Sequence, residues 1–406
     1  MLDQADVVVI GSGGLGAATA FHLVERGSRS VVVVDRYEPA SQTSPRAAGL
    51  MSHARTSDLM VRLVQHATAG LERFAESTGR PLDWTRSGSL KVARRPEDVD
   101  VLESDVARGE RLGLDVEQVS AEDAHALNPF LEQDGVLAVM RVGDDLYFDP
   151  AQVAIGYVRG AEARGATLLP QTAVTRVNVE AGRVKSVETE RGTIRTGVVV
   201  DAAGAWMGQV AAASGIRIPL VPTRHQLFVT EPIDGVRADL PIVRVMDAAV
   251  YVRPCDGGLL WGGYEEAPRM FDIDQLGRAF RIEDTPLEAD VLWQLADDVR
   301  EQMPILGRAT VREHRGGLPT MTPDGQHIVG PVPGADGFFV AGGCNVAGLS
   351  VSPAIGDALA AWILDGEPPL DLSPLSPARF AGRTITQERL ERDAAWQYRH
   401  FYGTDS

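Results

Sequence analysis

The sequence predicts an α/β chain with two sheet systems, and three observations carry that reading. Val7 to Asp35 runs apolar strand, glycine turn, helix, apolar strand, acid: V-V-V-I, G-S-G-G-L-G, A-A-T-A-F-H-L-V-E-R-G, V-V-V-V-D. Two more short apolar strands end in small-residue turns, V-V-V-D-A-A-G-A-W from Val198 and F-F-V-A-G-G-C-N-V-A-G from Phe338. Between them, Pro219 to Tyr264 is β-branched and aromatic with turn residues at intervals, the pattern of antiparallel strands. The fold class expected is therefore α/β: a Rossmann-type domain with a second domain built on a large, mostly antiparallel β-sheet flanked by helices.

The first stretch has specific chemistry. Gly11 permits a tight turn, Gly13 lets backbone approach a pyrophosphate, Gly16 lets the helix pack closely on the strand, and Gly14 is a further cofactor-binding candidate in the same turn. The helix N-terminus offers free N–H groups and partial positive charge to that pyrophosphate. Asp35 ends the second strand, where a carboxylate can accept from both ribose hydroxyls.

Arg36 to Met51 is a loop of small polar residues broken by Pro39 and Pro45. Ser41, Thr43 and Ser44 either donate to phosphate oxygens or simply face solvent. Leu59 to Ser77 reads as an amphipathic helix, Leu82 to Ala93 as the start of antiparallel strands, and Glu97 to Leu127 as a charged helix. Gly135 to Met140 and Leu146 to Phe148 read as strands. Asp149 caps a helix that opens at Pro150 and runs to about Ala163. A short strand at Thr167 to Leu169 and a ladder from Val174 to Thr196 follow. Pro286 to Met303 reads as helix, His314 to Thr322 as extended chain, and a helix starts at about Ser352 after Gly342, Gly343 and Gly348. Residues after Glu367 form a tail with a charged helix, Pro377 to Tyr402.

A bound cofactor would thus be met near residues 13, 203 and 345, from strand ends far apart in sequence. That suits a long, enclosed dinucleotide, FAD rather than NAD. The last helix N-terminus can stabilise negative charge near the flavin N1–C2=O edge.

Bulk composition narrows the function classes. The chain has 406 residues, 44% apolar and 23% charged, which is ordinary for a two-domain globular protein. A net charge of −17 disfavours nucleic acid and anionic membrane as partners. Only Cys255 and Cys344 occur, outside any C-x-x-C pair, so neither a disulfide framework nor a metal centre is expected. No leader-like segment and no apolar run of membrane length is visible, and a cytoplasmic location is the expectation.

The segments V-V-V-I-G-S-G-G-L-G-A-A-T-A-F-H-L, D-A-A-G-A-W and A-G-G-C-N-V-A-G-L-S together resemble the D-amino-acid oxidase/sarcosine oxidase superfamily of FAD-dependent amine oxidoreductases. S-P-R-A-A-G-L-M (44–51), R-H-Q-L (224–227) and Y-V-R-P-C-D-G-G-L-L-W-G-G-Y-E (251–265) resemble its dimethylglycine and sarcosine dehydrogenase branch. The resemblance implies a discontinuous FAD domain (1–86, 147–222, 316–366), a substrate domain (87–146, 223–315) and a tail (367–406). It implies flavin contacts from Arg36, Arg46, Ala48, Gly49, Leu50, Val174, Ala203, Gly204, Trp206, Gly317, Gly343, Cys344, Asn345, Val346, Ala347, Gly348, Leu349 and Ser350, besides the residues above. It also implies oxidation of a C–N bond by hydride transfer to flavin N5, followed by imine hydrolysis.

Three departures sharpen the expectation. Arg46 stands where several relatives carry a histidine linked to FAD, and Gly317 lies near the place of a cysteinyl link, so noncovalent FAD is expected. Ser350 stands where monomeric sarcosine oxidases carry a carboxylate-binding lysine, which counts against sarcosine itself. The folate-binding half of dimethylglycine dehydrogenases has no counterpart in the 406 residues, so formaldehyde is not expected to be captured on folate within this chain.

By resemblance, His225 lines the substrate cavity, and a histidine near pH 7 can take a proton from a bound ammonium; the alternative is a satisfied structural histidine. Tyr251 either orients the amine or packs in the core. Arg253 either pairs a substrate carboxylate or binds structural acids. His53 and Trp261 are further candidates, and Cys344 is a packing residue in the flavin loop. The function expected is an FAD-dependent amine oxidase or dehydrogenase for a secondary or tertiary amino acid, N-methylated or cyclic, reoxidised by oxygen or another electron acceptor. The alternatives are a D-amino-acid or opine dehydrogenase, and a flavin subunit of a larger electron-transfer complex.

Overall fold

A computed structural model describes residues 3–403. Two sheets dominate it. The first has six strands in the order Ile328–Pro331, Phe338–Gly342, Val198–Asp201, Val7–Ile10, Val31–Val34, Thr167–Leu169. All neighbours are parallel except the Ile328–Pro331 edge. Val7–Ile10 and Val31–Val34 are buried throughout, as a parallel sheet covered on both faces requires. Helices Gly14–Glu25, Pro150–Ala163 and Gly348–Asp365 cover one face. The three-stranded sheet from Val174–Glu180 to Gly192–Arg195 and helix Met207–Ala213 cover the other.

The second sheet has eight strands, in the order Val311–Gly317, His225–Thr230, Gly258–Gly263, Val250–Cys255, Ile242–Val245, Ser89–Ala93, Ala138–Val142, Val116–Val119. It is antiparallel except for one parallel pair, Ile242–Val245 beside Ser89–Ala93. Alternation sorts its side chains. Leu90, Val92, Val243, Val245, Val250, Val252, Phe228 and Trp261 pack with helix Ala289–Asp298 in one core. The intervening residues, among them Lys91, Arg244 and Tyr251, face the opposite side. No described helix is long and apolar enough to cross a membrane.

Several elements differ from the sequence expectation. The stretch from Glu97 to Leu127 is helix Pro96–Arg111, strand Val116–Val119 and helix Ala121–Leu127. Gly113 turns the chain at φ 76°, and Ser120 caps the second helix by accepting from Asp123 N. The helix expected over Leu59–Ser77 breaks at Arg73 into Asp58–Glu72 and Phe74–Thr78. The helix expected at Ser352 already begins at Gly348, ahead of Pro353. The C-terminal helix is shorter than expected, Gln387–Arg399, because Gly382 (φ 72°) turns the chain and Thr386 supplies its cap. Strand Val311–Gly317 runs through position 316, so the expected domain join falls inside a strand.

Candidate active site

The nucleotide end is built by close backbone approach. Gly11 sits at φ 95°, and a Cβ there would lie 2.5 Å from Ala202 O; one on Gly16 would lie 2.1 Å from Gly11 O. Only glycine allows these three segments to meet. Gly14 N, in the first turn of its helix, donates to Ser44 Oγ at 3.0 Å. Asp35 is less free than expected. Its Oδ2 accepts from Ser12 N at 2.8 Å and from the Ser12 hydroxyl, and Oδ1 accepts from Tyr37 N at 2.8 Å. Burial raises its pKa against those hydrogen bonds. A ribose would have to share Oδ1 or displace the Ser12 hydroxyl.

One cavity of about 660 Å³ joins the two sheets. Of the expected cofactor residues, Gly13, Gly14, Thr43, Ser44, Arg46, Ala48, Gly49, Leu50, Gly204 and Gly317 line it, as do Cys344, Asn345, Val346, Ala347, Gly348, Leu349 and Ser350. Arg36 and Val174 line a second cavity of about 250 Å³. Gly11, Gly16, Asp35, Ser41, Ala203, Trp206 and Gly343 line neither. Ser41 donates to Glu38 O at 2.7 Å, and Trp206 packs on Tyr37 with ring centroids 5.1 Å apart.

The loop before helix Gly348–Asp365 is held under strain. Asn345 and Val346 sit at φ 42° and 62°, a region a β-branched residue rarely enters. Asn345 fixes it: Nδ2 donates to Gly343 O at 2.7 Å, Oδ1 accepts from Thr322 N at 3.0 Å, and its own N donates to Thr320 O at 2.9 Å. The helix then opens into the cavity with first-turn N–H groups that have no intrahelical acceptor. These cradles, both beyond the carboxyl ends of parallel strands in the six-stranded sheet, fit an elongated dinucleotide with a ring system at one end.

Opposite that loop, one rung of the eight-stranded sheet supplies the wall. Across the strands, Leu227, Gly262, Tyr251, Arg244, Lys91 and Met140 are successive register partners. Tyr251, Arg244, Lys91 and Met140 line the cavity. Gly262 makes room for the Tyr251 ring, because a Cβ there would lie 2.5 Å from the tyrosine hydroxyl.

His225 is wedged between two tyrosines. Nε2 lies 2.8 Å from Tyr251 Oη and Nδ1 2.8 Å from Tyr398 Oη, on the C-terminal helix. Burial lowers its pKa to about 4. That keeps the ring neutral at pH 7, hydrogen-bonded between the two hydroxyls, which counts against the expectation of a histidine that takes a proton near pH 7. Tyr264, Phe401 and Tyr402 complete an aromatic wall, with Tyr264 stacked on Phe401 at 4.4 Å.

Arg253 is also corrected. It is buried outside the cavity lining, and it donates to Ala48 O and Pro254 O at 2.7 Å each beneath the Tyr147 ring. Two arginines not singled out from the sequence face the cavity instead. Arg244 Nη1 donates to Asp145 Oδ2 at 2.9 Å, and Arg55 Nη2 approaches Ser350 Oγ at 3.4 Å. Arg244 Nη2 and Arg55 Nε are buried with no hydrogen-bond partner among the described residues. Burial works to raise the Asp145 pKa, but Arg244, His53 and Ser89 outweigh it and hold the carboxyl below its usual range. His53 belongs to this support. Its N donates to Asp145 Oδ1 at 2.7 Å and its Nε2 lies 2.8 Å from Thr68 Oγ1. Trp261 packs in the core on the far face of the sheet. The signal for Arg244 was a lone cation inside the apolar strand I-V-R-V; for Arg55 the sequence held none.

Known proteins place this architecture. The chain is 33% identical to the mitochondrial sarcosine dehydrogenase of Mus musculus over 93% of its length and 41% of that protein's. It is 30% identical to the mitochondrial dimethylglycine dehydrogenase of Rattus norvegicus, over 95% and 46% respectively. The chain thus spans less than half the length of these curated relatives. The crystal structure of L-proline dehydrogenase from P. horikoshii has the same fold, with a TM-score of 0.83 at 24% identity over 94% of this chain and 98% of that one. The family model for FAD-dependent oxidoreductases matches residues 6–362, and by that match the chain belongs to the DAO family of FAD-dependent oxidoreductases.

Proposed function

We propose that this protein binds FAD noncovalently and oxidises the C–N bond of a secondary or tertiary amino acid. The observation that carries the proposal is the pair Arg55 and Arg244, each with a buried unpartnered nitrogen, facing the cavity that the 342–350 segment also lines. A chain of net charge −17 that directs two guanidiniums into one cavity is built for an anion there. A substrate carboxylate on this pair leaves its amine beside Tyr251 and the aromatic residues Tyr264, Phe401 and Tyr402. That wall suits alkyl substituents on nitrogen. The sarcosine and dimethylglycine dehydrogenases similar to this chain act, by their names, on N-methyl amino acids.

When bound, FAD would accept a hydride equivalent from the carbon next to nitrogen. The chain's own residues do the rest. Gly13, Gly14 and Ser44 would hold the phosphates and Arg46 and the first turn of helix Gly348–Asp365 would meet the ring system, while arginine at 46 and glycine at 317 offer no side chain for a covalent flavin link. The amine must be neutral to give up hydride. Two nearby guanidiniums favour its deprotonated form. Neutral His225 holds the Tyr251 hydroxyl toward that nitrogen without adding charge.

The test is anaerobic titration of the purified holoprotein, followed at the flavin absorbance band, with N-methyl, cyclic and D-amino acids and with carboxylate-free amines. Carboxylated secondary or tertiary amines should bleach the flavin, and acid precipitation should release it. Arg55→Met removes a cation with no acid partner among the described residues and should raise the half-saturating amine concentration about 30-fold or more. Bleaching by carboxylate-free amines alone would overturn the proposal.

A further inference from the structure

The cavity continues past Arg55 and Arg244. Its wall runs on to Lys91, the register partner of Arg244 on the next strand, and to Asp105 and Arg108 on helix Pro96–Arg111. Adjacent strands stand about 4.8 Å apart, so Arg244 and Lys91 leave one face side by side. Lys91 Nζ lies 2.7 Å from Asp105 Oδ2, and Arg108 Nη1 lies 2.8 Å from Asp105 Oδ1. Arg108 Nη1 also donates to Arg55 O at 3.1 Å, which ties this cluster to the first pair.

The charges do not balance. Asp145 matches Arg244, and Asp105 can match only one of Lys91 and Arg108. Arg55 has no acid partner among the described residues, so two positive charges are surplus within one half-buried space. Uncompensated charge away from water is unfavourable. One substrate carboxylate answers one of them. A purely structural ion pair would need Lys91 and Asp105 alone, and would not need to line a cavity.

We propose that the site takes an N-substituted amino acid with two carboxylates, one held by Arg55 and Arg244 and the second by Lys91 and Arg108. The inference rests on the amine-oxidation reading and names its substrate class.

The experiment is isothermal titration of the holoprotein with two thioethers that cannot be oxidised as amines: thiodiacetate, with two carboxylates, and (methylthio)acetate, with one. Thiodiacetate should bind about tenfold tighter or better, and that ratio should fall towards one in Lys91→Met but persist in Lys91→Arg. Lys91→Met leaves Asp105 paired with Arg108, which protects the fold; Arg108→Gln is the second variant and should lower the ratio likewise. Equal binding of the two thioethers, or a ratio indifferent to both substitutions, would overturn the inference and leave amine oxidation standing. Failure of both thioethers to bind, together with no bleaching by any carboxylated amine, would remove the amine reading itself.

Discussion

Tyr398 and Tyr251 share one imidazole: His225 Nδ1 lies 2.8 Å from the first hydroxyl and Nε2 2.8 Å from the second. A neutral ring has one donor and one acceptor, so one tyrosine must give a proton and the other receive one. The two hydroxyl directions are thereby coupled through the tautomer of the ring, so Tyr398 bears on how the Tyr251 hydroxyl points. Tyr398→Phe leaves Nδ1 buried and unpartnered, and should lower stability by about 1–3 kcal/mol. It should also slow amine-driven flavin reduction about fivefold, the equivalent of roughly one hydrogen bond. Urea unfolding and anaerobic stopped-flow measure the two effects; a stability loss with an unchanged reduction rate would refute the relay.

Gly262→Ala tests the same hydroxyl from the other side. The added methyl would lie 2.5 Å from Tyr251 Oη and 2.9 Å from Gln226 O. The backbone oxygen cannot yield, so the tyrosine must. Overpacking of this kind costs about 1–3 kcal/mol. Amine-driven reduction should slow while FAD content stays at wild-type level, because the flavin cradle lies elsewhere. A variant that loses FAD instead would show that the rung also shapes the flavin site.

Much of this was legible in the sequence where local rules act alone. The V-V-V-I and V-V-V-V runs, the glycine turn and the Asp149 cap each report on a few neighbouring residues, and the structure forms the same elements. Glu97 to Leu127 misled because its helical spacing continues through a segment whose hydrogen-bond partner is a distant strand, Ala138–Val142. The site was harder still. Arg253 and Arg244 both sit at alternate positions facing away from the Ala289–Asp298 core. Which one reaches the cavity depends on Ala48 O capturing the first and Asp145 turning the second. Those are contacts across 205 and 99 residues, and no periodicity encodes them.

Acid should destabilise the protein well above the carboxylate range. Burial lowers His225 to about 4 and His327 to about 3, both from an ordinary 6.5. Between pH 6.5 and 4 the unfolded chain binds these protons and the folded chain does not. The stability these two rings contribute is fully present above 6.5 and is lost as pH drops, by about 1.4 kcal/mol per pH unit for each group. His225→Gln and His327→Gln should each flatten that slope by one group's share in urea unfolding at pH 7, 6 and 5. Unchanged slopes in both variants would mean that neither ring is buried neutral.

Asp201 works in the opposite direction. It ends the Val198–Asp201 strand, where Oδ1 accepts from Ala203 N at 3.1 Å and Oδ2 has no partner among the described residues. Burial pushes its pKa from 3.8 up to about 8, so at neutral pH the folded chain keeps a proton that the unfolded chain has lost. The stability this contributes is complete below pH 3.8 and drains away as pH rises through 8. It partly offsets the histidines below pH 6.5 and acts without them above that. Wild type should therefore lose about 1.4 kcal/mol per pH unit between 6.5 and 8. Asn matches the shape and donor of a protonated carboxyl, so Asp201→Asn should unfold at nearly constant urea concentration over that range and exceed wild type at pH 8. A wild-type curve already flat from 6.5 to 8, with the Asn variant equally weakened throughout, would show a carboxylate that is ionised and paired with a donor.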